Sequence, residues 1–159
     1  MITIDRLKQV LFYDPESGVW AWKVLRGHMC AGSRAGTIDK KDSSVVIKID
    51  GRQYEGHRLA FFYMTGRWPM PECDHRDCDK GNNRWTNLRE ATHSQNNANR
   101  RIWKNRSGVK GVRPIRSKWQ AWLYHKKKLY VGPLRGSIPE ASVDYEKLAL
   151  QYHGEFART

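Results

Sequence analysis

Apolar residues recur at helical spacing near the start of the chain and alternate with polar residues soon afterwards. The spacing predicts a helix over residues 3–11 that begins at a Thr3 cap. Turn residues then lead into a short strand predicted at 19–23, and a loop is expected over 26–36. The alternation in VVIKIDGRQYEG (45–56) predicts a β-hairpin. The first third of the chain is therefore expected to combine one helix with several short strands.

The middle of the chain returns to helical spacing and then becomes polar. HRLAFFYMTG (57–66) predicts a second helix that ends at its glycine. A strongly polar stretch follows at 73–101, and its Asp74-His75 pair is expected on a short extended piece. A capping box, T-x-x-Q, predicts a third helix that begins at His93.

Three short strands and one longer helix are predicted in the last third of the chain. The strands are expected at 109–115, 118–125 and 127–134. A second capping box, with proline in the first turn, predicts the final helix over about 138–152. Three strands packed by one helix make a minimal α+β module. We therefore predict two domains, 1–100 and 107–159, joined by a linker at 101–106.

Length and composition fit this division. The chain has 159 residues and 39% apolar content, enough for one domain or two small ones. No apolar run approaches the ~18 residues of a membrane span, and the N-terminus lacks the pattern of a signal peptide. We expect a cytoplasmic protein, in a bacterial cell or a phage-infected host.

The positive charge of the chain is concentrated in one region. The net charge is +13, and the segment between Glu90 and Glu140 contains twelve Lys or Arg and no acidic residue. Trp103, Trp119 and Trp122 are interleaved with these charges, which argues against a disordered tail. Lysine and arginine among aromatic residues are typical of nucleic-acid binding. A solvated basic face and an anionic membrane surface are the alternatives.

The polar stretch contains residue types that suit phosphodiester hydrolysis. His75 can take a proton from water, and Asp74 is a hard oxygen ligand for Mg²⁺ or a similar cation. Asn96 offers a second oxygen ligand near a helix N-terminus, and Arg100 can clamp a phosphate oxygen. Taken alone, these residues also fit an ordinary surface histidine and asparagine-rich turns.

The cysteines raise a different possibility for the same stretch. Cys73 and Cys78 flank His75, so a zinc site has to be considered. Structural zinc usually takes four ligands with C-x(2–4)-C spacing, and the chain has no second Cys pair. Ordinary reduced cysteines are the better interpretation.

A run of short motifs resembles the HNH endonuclease family, in the phage and bacterial branch that includes homing endonucleases. The motifs are GHRLA (56–60), GRWP (66–69), DH (74–75), NNRW (82–85), NLR (87–89) and QNxxN (95–99). The resemblance implies a ββα-metal fold with His75 as general base and Asn87 supporting its loop. It implies one divalent metal, Mg²⁺ or alternatively Mn²⁺, on Asp74 and Asn96. Cys78 departs from the family pattern, which has glycine there.

The last third resembles the AP2/ERF DNA-binding domain, whose three-stranded sheet lies in the major groove. The shared residues are SGVKGVR (107–113), KWxA (118–121), VG (131–132) and HGEFA (153–157). The resemblance and the basic pattern together give a set of expected DNA contacts: Arg113, Arg116, Lys118, Trp119, Trp122, Lys126, Lys127, Lys128 and Tyr130. Trp122 and Tyr124 replace a Glu and an Arg of plant members, and Tyr130 replaces a common Trp.

Together these features predict an α+β protein, a metal-dependent endonuclease of homing type that cuts double-stranded DNA. A monomer or weak dimer without a small-molecule cofactor is expected. The alternative is a non-catalytic DNA-binding regulator that carries a degenerate nuclease fold. The enzyme is favoured because a relic would be expected to lose its catalytic residues first, and all four are present: Asp74, His75, Asn87 and Asn96.

Overall fold

The computed structural model describes residues 1–25, 27, 29–101 and 105–158. Helices and short sheets are mixed along this part of the chain, consistent with the predicted α+β class. Trp103 and Lys104 of the basic segment, and Arg26 and His28 of the predicted loop, lie outside the described residues. No helix in the described part of the chain has the length and apolar character needed to cross a membrane.

The chain forms two compact units, Met1–Ala91 and a second that begins at Thr92. The elements of the first unit are α1 (Ile4–Val10), β1 (Leu11–Tyr13), β2 (Trp20–Trp22), β3 (Thr37–Ile38), β4 (Val45–Ile49), β5 (Arg52–Glu55), α2 (Gly56–Thr65), β6 (Glu72–His75) and β7 (Leu88–Ala91). A short 3-10 turn, Trp85–Asn87, precedes β7.

Most local elements of the first unit lie where the sequence predicts them. The Thr3 hydroxyl accepts a hydrogen bond from the Arg6 N–H and caps α1, as predicted. The helix is shorter than predicted because Leu11 is already extended and pairs with Trp22. The β4–β5 hairpin and the end of α2 at Gly66 are confirmed.

The core of the first unit joins its small sheets to α2. The β1–β2 ribbon, the β3–β4–β5 sheet and α2 bury one continuous apolar cluster, in which Tyr13, Trp20, Ile47 and Leu59 are almost completely buried. The β6–β7 ribbon contributes Leu88 to this cluster. The ribbon is therefore anchored by apolar burial, while its polar residues are placed on a fixed backbone.

Over its described residues, 92–101 and 105–158, the second unit contains a three-stranded sheet, two α-helices and a short 3-10 turn at Gly154–Phe156. Its elements are α3 (His93–Asn99), β8 (Val112–Ile115), β9 (Lys118–His125), β10 (Lys128–Arg135) and α4 (Ile138–His153). Both predicted capping boxes are present, at the starts of α3 and α4. The sheet is antiparallel with β9 in the centre, and α4 packs on one side of it through small and aromatic residues such as Ala141 and Tyr145.

Candidate active site and nucleic-acid interface

The β6–β7 ribbon carries the Asp74-His75 pair. Asp74 lies opposite Arg89 in the ribbon, and His75 lies opposite Leu88. The Arg89 Nε atom donates to Asp74 Oδ2 at 2.9 Å, and both side chains are less than a tenth exposed. A buried carboxylate without such a partner would be strongly destabilising. Arg89 therefore holds and orients the Asp74 carboxylate, a contact that the sequence did not reveal.

His75 is oriented by an asparagine from the following loop. Its Nε2 atom lies 3.0 Å from Asn83 Oδ1, and both residues are buried. An amide oxygen only accepts hydrogen bonds, so this arrangement places the ring proton on Nε2 and makes Nδ1 the basic nitrogen. By residue type Asn83 fits an asparagine-rich turn, and nothing in the local sequence indicates its contact with His75.

Asn83 is itself held by the β1–β2 ribbon. The buried Tyr13 hydroxyl donates to the Asn83 carbonyl oxygen at 2.6 Å. Burial raises the pKa of Tyr13, so the hydroxyl stays protonated and remains a donor. Gly18 lies against the same backbone with φ +73°, and a Cβ there would be 2.8 Å from the Asn83 carbonyl oxygen. The N-terminal ribbon thus fixes the residue that orients His75.

His57 packs edge-on against His75, with 4.8 Å between ring centroids. Burial lowers the pKa of His57 to about 3. The His57 ring is therefore neutral at physiological pH and adds no charge beside His75. The sequence singled out His57 only as part of a family motif.

Asn87 ties together the two ends of the loop that follows His75. Its Oδ1 accepts from the Asp77 N–H at 3.1 Å, and its Nδ2 donates to Asp77 Oδ1 at 2.9 Å and to the Asn82 carbonyl at 2.8 Å. Burial opposes ionisation of Asp77, but hydrogen bonds from the Asp79 N–H, Asn82 and Asn87 outweigh it and lower the pKa of Asp77. The loop is thus closed around an ionised carboxylate.

Cys78 lies in this loop at φ 60°, in the left-handed region that favours glycine. Its N–H donates to the His75 carbonyl at 2.9 Å, which closes a tight turn directly after the histidine. The replacement of the family glycine by Cys78 therefore affects the backbone conformation of the turn. Its thiol takes no part in the contacts described for His75.

The remaining predicted site residues, Asn96 and Arg100, belong to the second unit. Asn96 lies in α3, with its N–H donating to the Thr92 carbonyl, and Arg100 is the exposed C-terminal cap of that helix. Lys110 Nζ donates to the Ala98 and Arg100 carbonyls and so stabilises the end of α3. The catalytic and metal-binding roles of Asn96 and Arg100 stay predictions.

The side chains that could donate oxygen, nitrogen or sulfur to a metal limit the kind of metal that the first unit can hold. No three His, Cys, Asp or Glu side chains converge on a common point in the described ranges, 1–25, 27, 29–101 and 105–158. A metal held wholly by such side chains does not fit this arrangement. Mg²⁺ is commonly bound by one or two carboxylates, with water and substrate phosphate completing its coordination. The Asp74 carboxylate, which Arg89 orients, fits that kind of site.

The sheet of the second unit has two unlike sides. Strand partners share a side, so the register places Arg113, Lys118 and Trp122 on the side opposite α4, which we call the open face. Trp119 and Tyr130 lie on the other side and pack against the α4 core. Two predicted DNA contacts thus lie on the helix side of the sheet and are partly buried there, and their contact with DNA stays a prediction.

The other predicted contacts lie at or near the ends of the strands. Arg116 is exposed in the β8–β9 turn, while Lys126 and Lys127 form the β9–β10 turn. Lys128 begins β10 on the α4 side, with its ammonium 5.5 Å from the Tyr130 ring centroid. Exposed cations therefore flank the open face at both ends of β9.

Comparison with known proteins gives one match. Residues 54–98 match the family model described as HNH endonuclease. Neither the curated proteins nor the solved structures gave a match to this chain. The matched segment covers less than a third of the chain and contains Asp74, His75, Asn87 and Asn96. The match shows that residues 54–98 are similar to HNH endonucleases and indicates a nuclease.

Proposed function

We propose that the protein is a metal-dependent endonuclease that hydrolyses phosphodiester bonds of double-stranded DNA, with a second unit that holds the DNA. The observation that carries the proposal is the orientation of His75 by Asn83 beside the anchored Asp74 carboxylate, in a segment that matches the HNH model. A histidine of defined tautomer next to a hard oxygen ligand is suited to activating water beside a phosphate.

In the proposed reaction His75 is the general base. With its Nε2–H donated to Asn83, Nδ1 takes the proton from the attacking water. The water oxygen forms a bond to phosphorus, and the bond from phosphorus to the 3′ oxygen breaks. Asn87 keeps the loop closed while His75 gains its charge. A bound Mg²⁺ would stabilise negative charge on the phosphate oxygens and on the leaving oxygen.

Asp74 is the proposed metal ligand of the first unit, because Mg²⁺ prefers carboxylate oxygen and Arg89 orients this carboxylate. Asn96 as second ligand and Arg100 as phosphate clamp enter the proposal from the sequence alone. The second unit is proposed to bind DNA through the open face and its flanking cations, as the AP2/ERF resemblance implies. A homing role also belongs to the proposal.

Cleavage of supercoiled plasmid by the full chain tests the enzyme proposal. We expect nicked or linear product with Mg²⁺ and none with EDTA. His75→Ala should lower the rate by about 10²–10⁴-fold, the usual contribution of a general base. His93→Ala, at an exposed histidine on α3, is the matched control and should cut normally.

The same assay separates the enzyme from a DNA-binding regulator. If the wild type does not cut and His75→Ala binds DNA equally well, the nuclease proposal fails and the regulator remains. Cleavage that survives His75→Ala at the wild-type rate would remove His75 from the reaction. Sequencing the cleaved ends would then report the site, the stagger and the strand choice.

A further inference from the structure

The open face of the β8–β9–β10 sheet is apolar at its centre and cationic at its ends. We propose that this face recognises the 5-methyl groups of thymine in the major groove of duplex DNA. The proposal rests on the DNA-binding function proposed for the second unit and adds which chemical feature of the bases is recognised.

The exposed apolar side chains of the open face lie mainly on β10, which is an edge strand next to the central β9. Leu129, Val131 and Leu134 expose 38%, 46% and 48% of their surface on this strand. Leu129 pairs with Tyr124 and Val131 with Trp122, which places all four on the open face. Exposed apolar side chains that cluster on one side of a sheet indicate a binding surface, whereas single exposed apolar side chains scattered over a protein do not.

The Gln120 side chain at the centre of the face already has partners at both of its polar atoms. The Gln120 amide oxygen accepts from Arg113 Nη2 at 3.0 Å, and its Nε2 donates to the Gly132 carbonyl at 3.0 Å. The Arg113 guanidinium also lies 5.8 Å from the Trp122 ring centroid. Hydrogen-bond readout of bases by Gln120 would first require these contacts to break. The centre of the face therefore offers mainly apolar contact.

The positive charges around this face favour a polyanion as its binding partner. Arg116 lies at one end of β9, and Lys126 and Lys127 at the other. All three have left-handed backbone conformations, with φ of 54°, 48° and 65°, where Asn or Gly is favoured. Lysine and arginine occupy these positions although Asn or Gly would relieve the backbone strain, which indicates that their positive charge has a function. An apolar protein partner would not need them.

The dimensions suit a duplex. At ~3.4 Å per residue β9 spans about 24 Å, enough to cross a major groove about 12 Å wide and reach the phosphates on both sides. In the major groove the feature that favours an apolar contact is the thymine methyl group.

The proposal is tested with the full chain in EDTA, so that DNA is bound and not cut. Duplexes are first selected by the protein from a random-sequence library, and the enriched site is then synthesised with thymine or with deoxyuridine. This exchange removes only the 5-methyl groups. Burial of one methyl is worth about fourfold in affinity, so two contacted thymines should give about 15-fold weaker binding of the uracil duplex.

Two variants locate the effect on the open face. Val131→Ser and Leu134→Ser change exposed side chains and should each reduce the thymine-to-uracil ratio, which is measured within each variant and therefore does not depend on its overall affinity for DNA. Leu150→Ser is the matched control, because this leucine is 62% exposed on α4 and away from the sheet face. It should retain the full ratio.

The outcomes separate this inference from the function on which it rests. Equal affinity for thymine and uracil duplexes, or no enriched site, would overturn methyl recognition while DNA binding stands. A thymine preference confined to single strands would also overturn it, because bases would then stack on Trp122 and Tyr124. Absence of binding to any DNA would instead remove the proposed function of the second unit.

Discussion

Gly18 packs on the backbone of the loop that orients His75, and we expect Gly18→Ala to lower both stability and cleavage. The alanine Cβ would lie 2.5 Å from Arg84 N and 2.8 Å from Asn83 O, and closer still to the Asn83 carbonyl carbon. All three are backbone atoms, so no side-chain rotation can relieve the overlap. Either the β1–β2 turn or the Asn83 backbone must move.

Two terms contribute to the expected loss of stability. The left-handed φ of +73° costs an alanine about 1 kcal/mol, after the gain from a stiffer unfolded chain is subtracted. Overlap with the backbone adds about 1–3 kcal/mol, as in overpacked cores. The free energy of unfolding should therefore fall by about 2–4 kcal/mol, a large share of the ~5–15 kcal/mol of a typical domain.

Gly66→Ala is the matched control for the first term alone. Gly66 has φ +74°, and apart from its neighbours in the chain none of the described residues has an atom within 4 Å of the position that its Cβ would occupy. Urea unfolding gives the two losses, and hydrogen exchange over residues 70–91 shows whether the loop around Asn83 opens. Equal losses for the two variants, within about 0.5 kcal/mol, would refute the packing argument.

Three further changes test other contacts of the site. Arg89→Met should cost about 3–5 kcal/mol in urea unfolding because it leaves the Asp74 carboxylate buried without its partner, and Asp74→Leu in the same chain should recover much of this loss. Cys78→Gly should stabilise the loop by about 0.5–1 kcal/mol by relieving its left-handed conformation, whereas Cys78→Val should destabilise it. Because the pKa of His57 is about 3 when folded and about 6.5 when unfolded, the unfolded chain takes the proton first as the pH falls. Stability should therefore decrease from pH 6.5 towards 3, by up to about 1.4 kcal/mol per pH unit, and an equilibrium unfolding series should show a smaller slope for His57→Gln.

Elements encoded by local sequence were predictable. The capping boxes at Thr92 and Ser137 and the hairpin turn at Asp50-Gly51 depend on residues three or four positions apart, and all lie where expected. The end of α1 was not predictable in the same way. Leu11 fits a helical face, but its pairing with Trp22 is a contact between distant residues.

In the candidate active site, too, the residue types could be predicted from the sequence, but their contacts with distant residues could not. His75 and Asp74 can be singled out by residue type, but their partners depend on strand register and loop path. Arg89 faces Asp74 only because of the β6–β7 register, and Asn83 reaches His75 only because the loop folds back.

In the β8–β9–β10 sheet, the sequence leaves open which side of the sheet each side chain faces. Trp119 and Trp122 must lie on opposite sides of a regular strand, because they are an odd number of positions apart. The sequence alone does not say which of them faces the helix. Packing of α4 decides it, with Trp119 against the helix and Trp122 on the open face.

The contact between the β1–β2 ribbon and Asn83 also limits how this protein can be engineered. A fragment cut to residues 54–98 would keep every motif residue except Asn99. It would lose Tyr13, Gly18 and the Pro15 carbonyl that accepts from the Trp85 N–H. His75 would then be left with a partner whose backbone has no support. A nuclease domain transferred from this chain to another protein should therefore start at α1 and include the β1–β2 ribbon, which supports the Asn83 backbone.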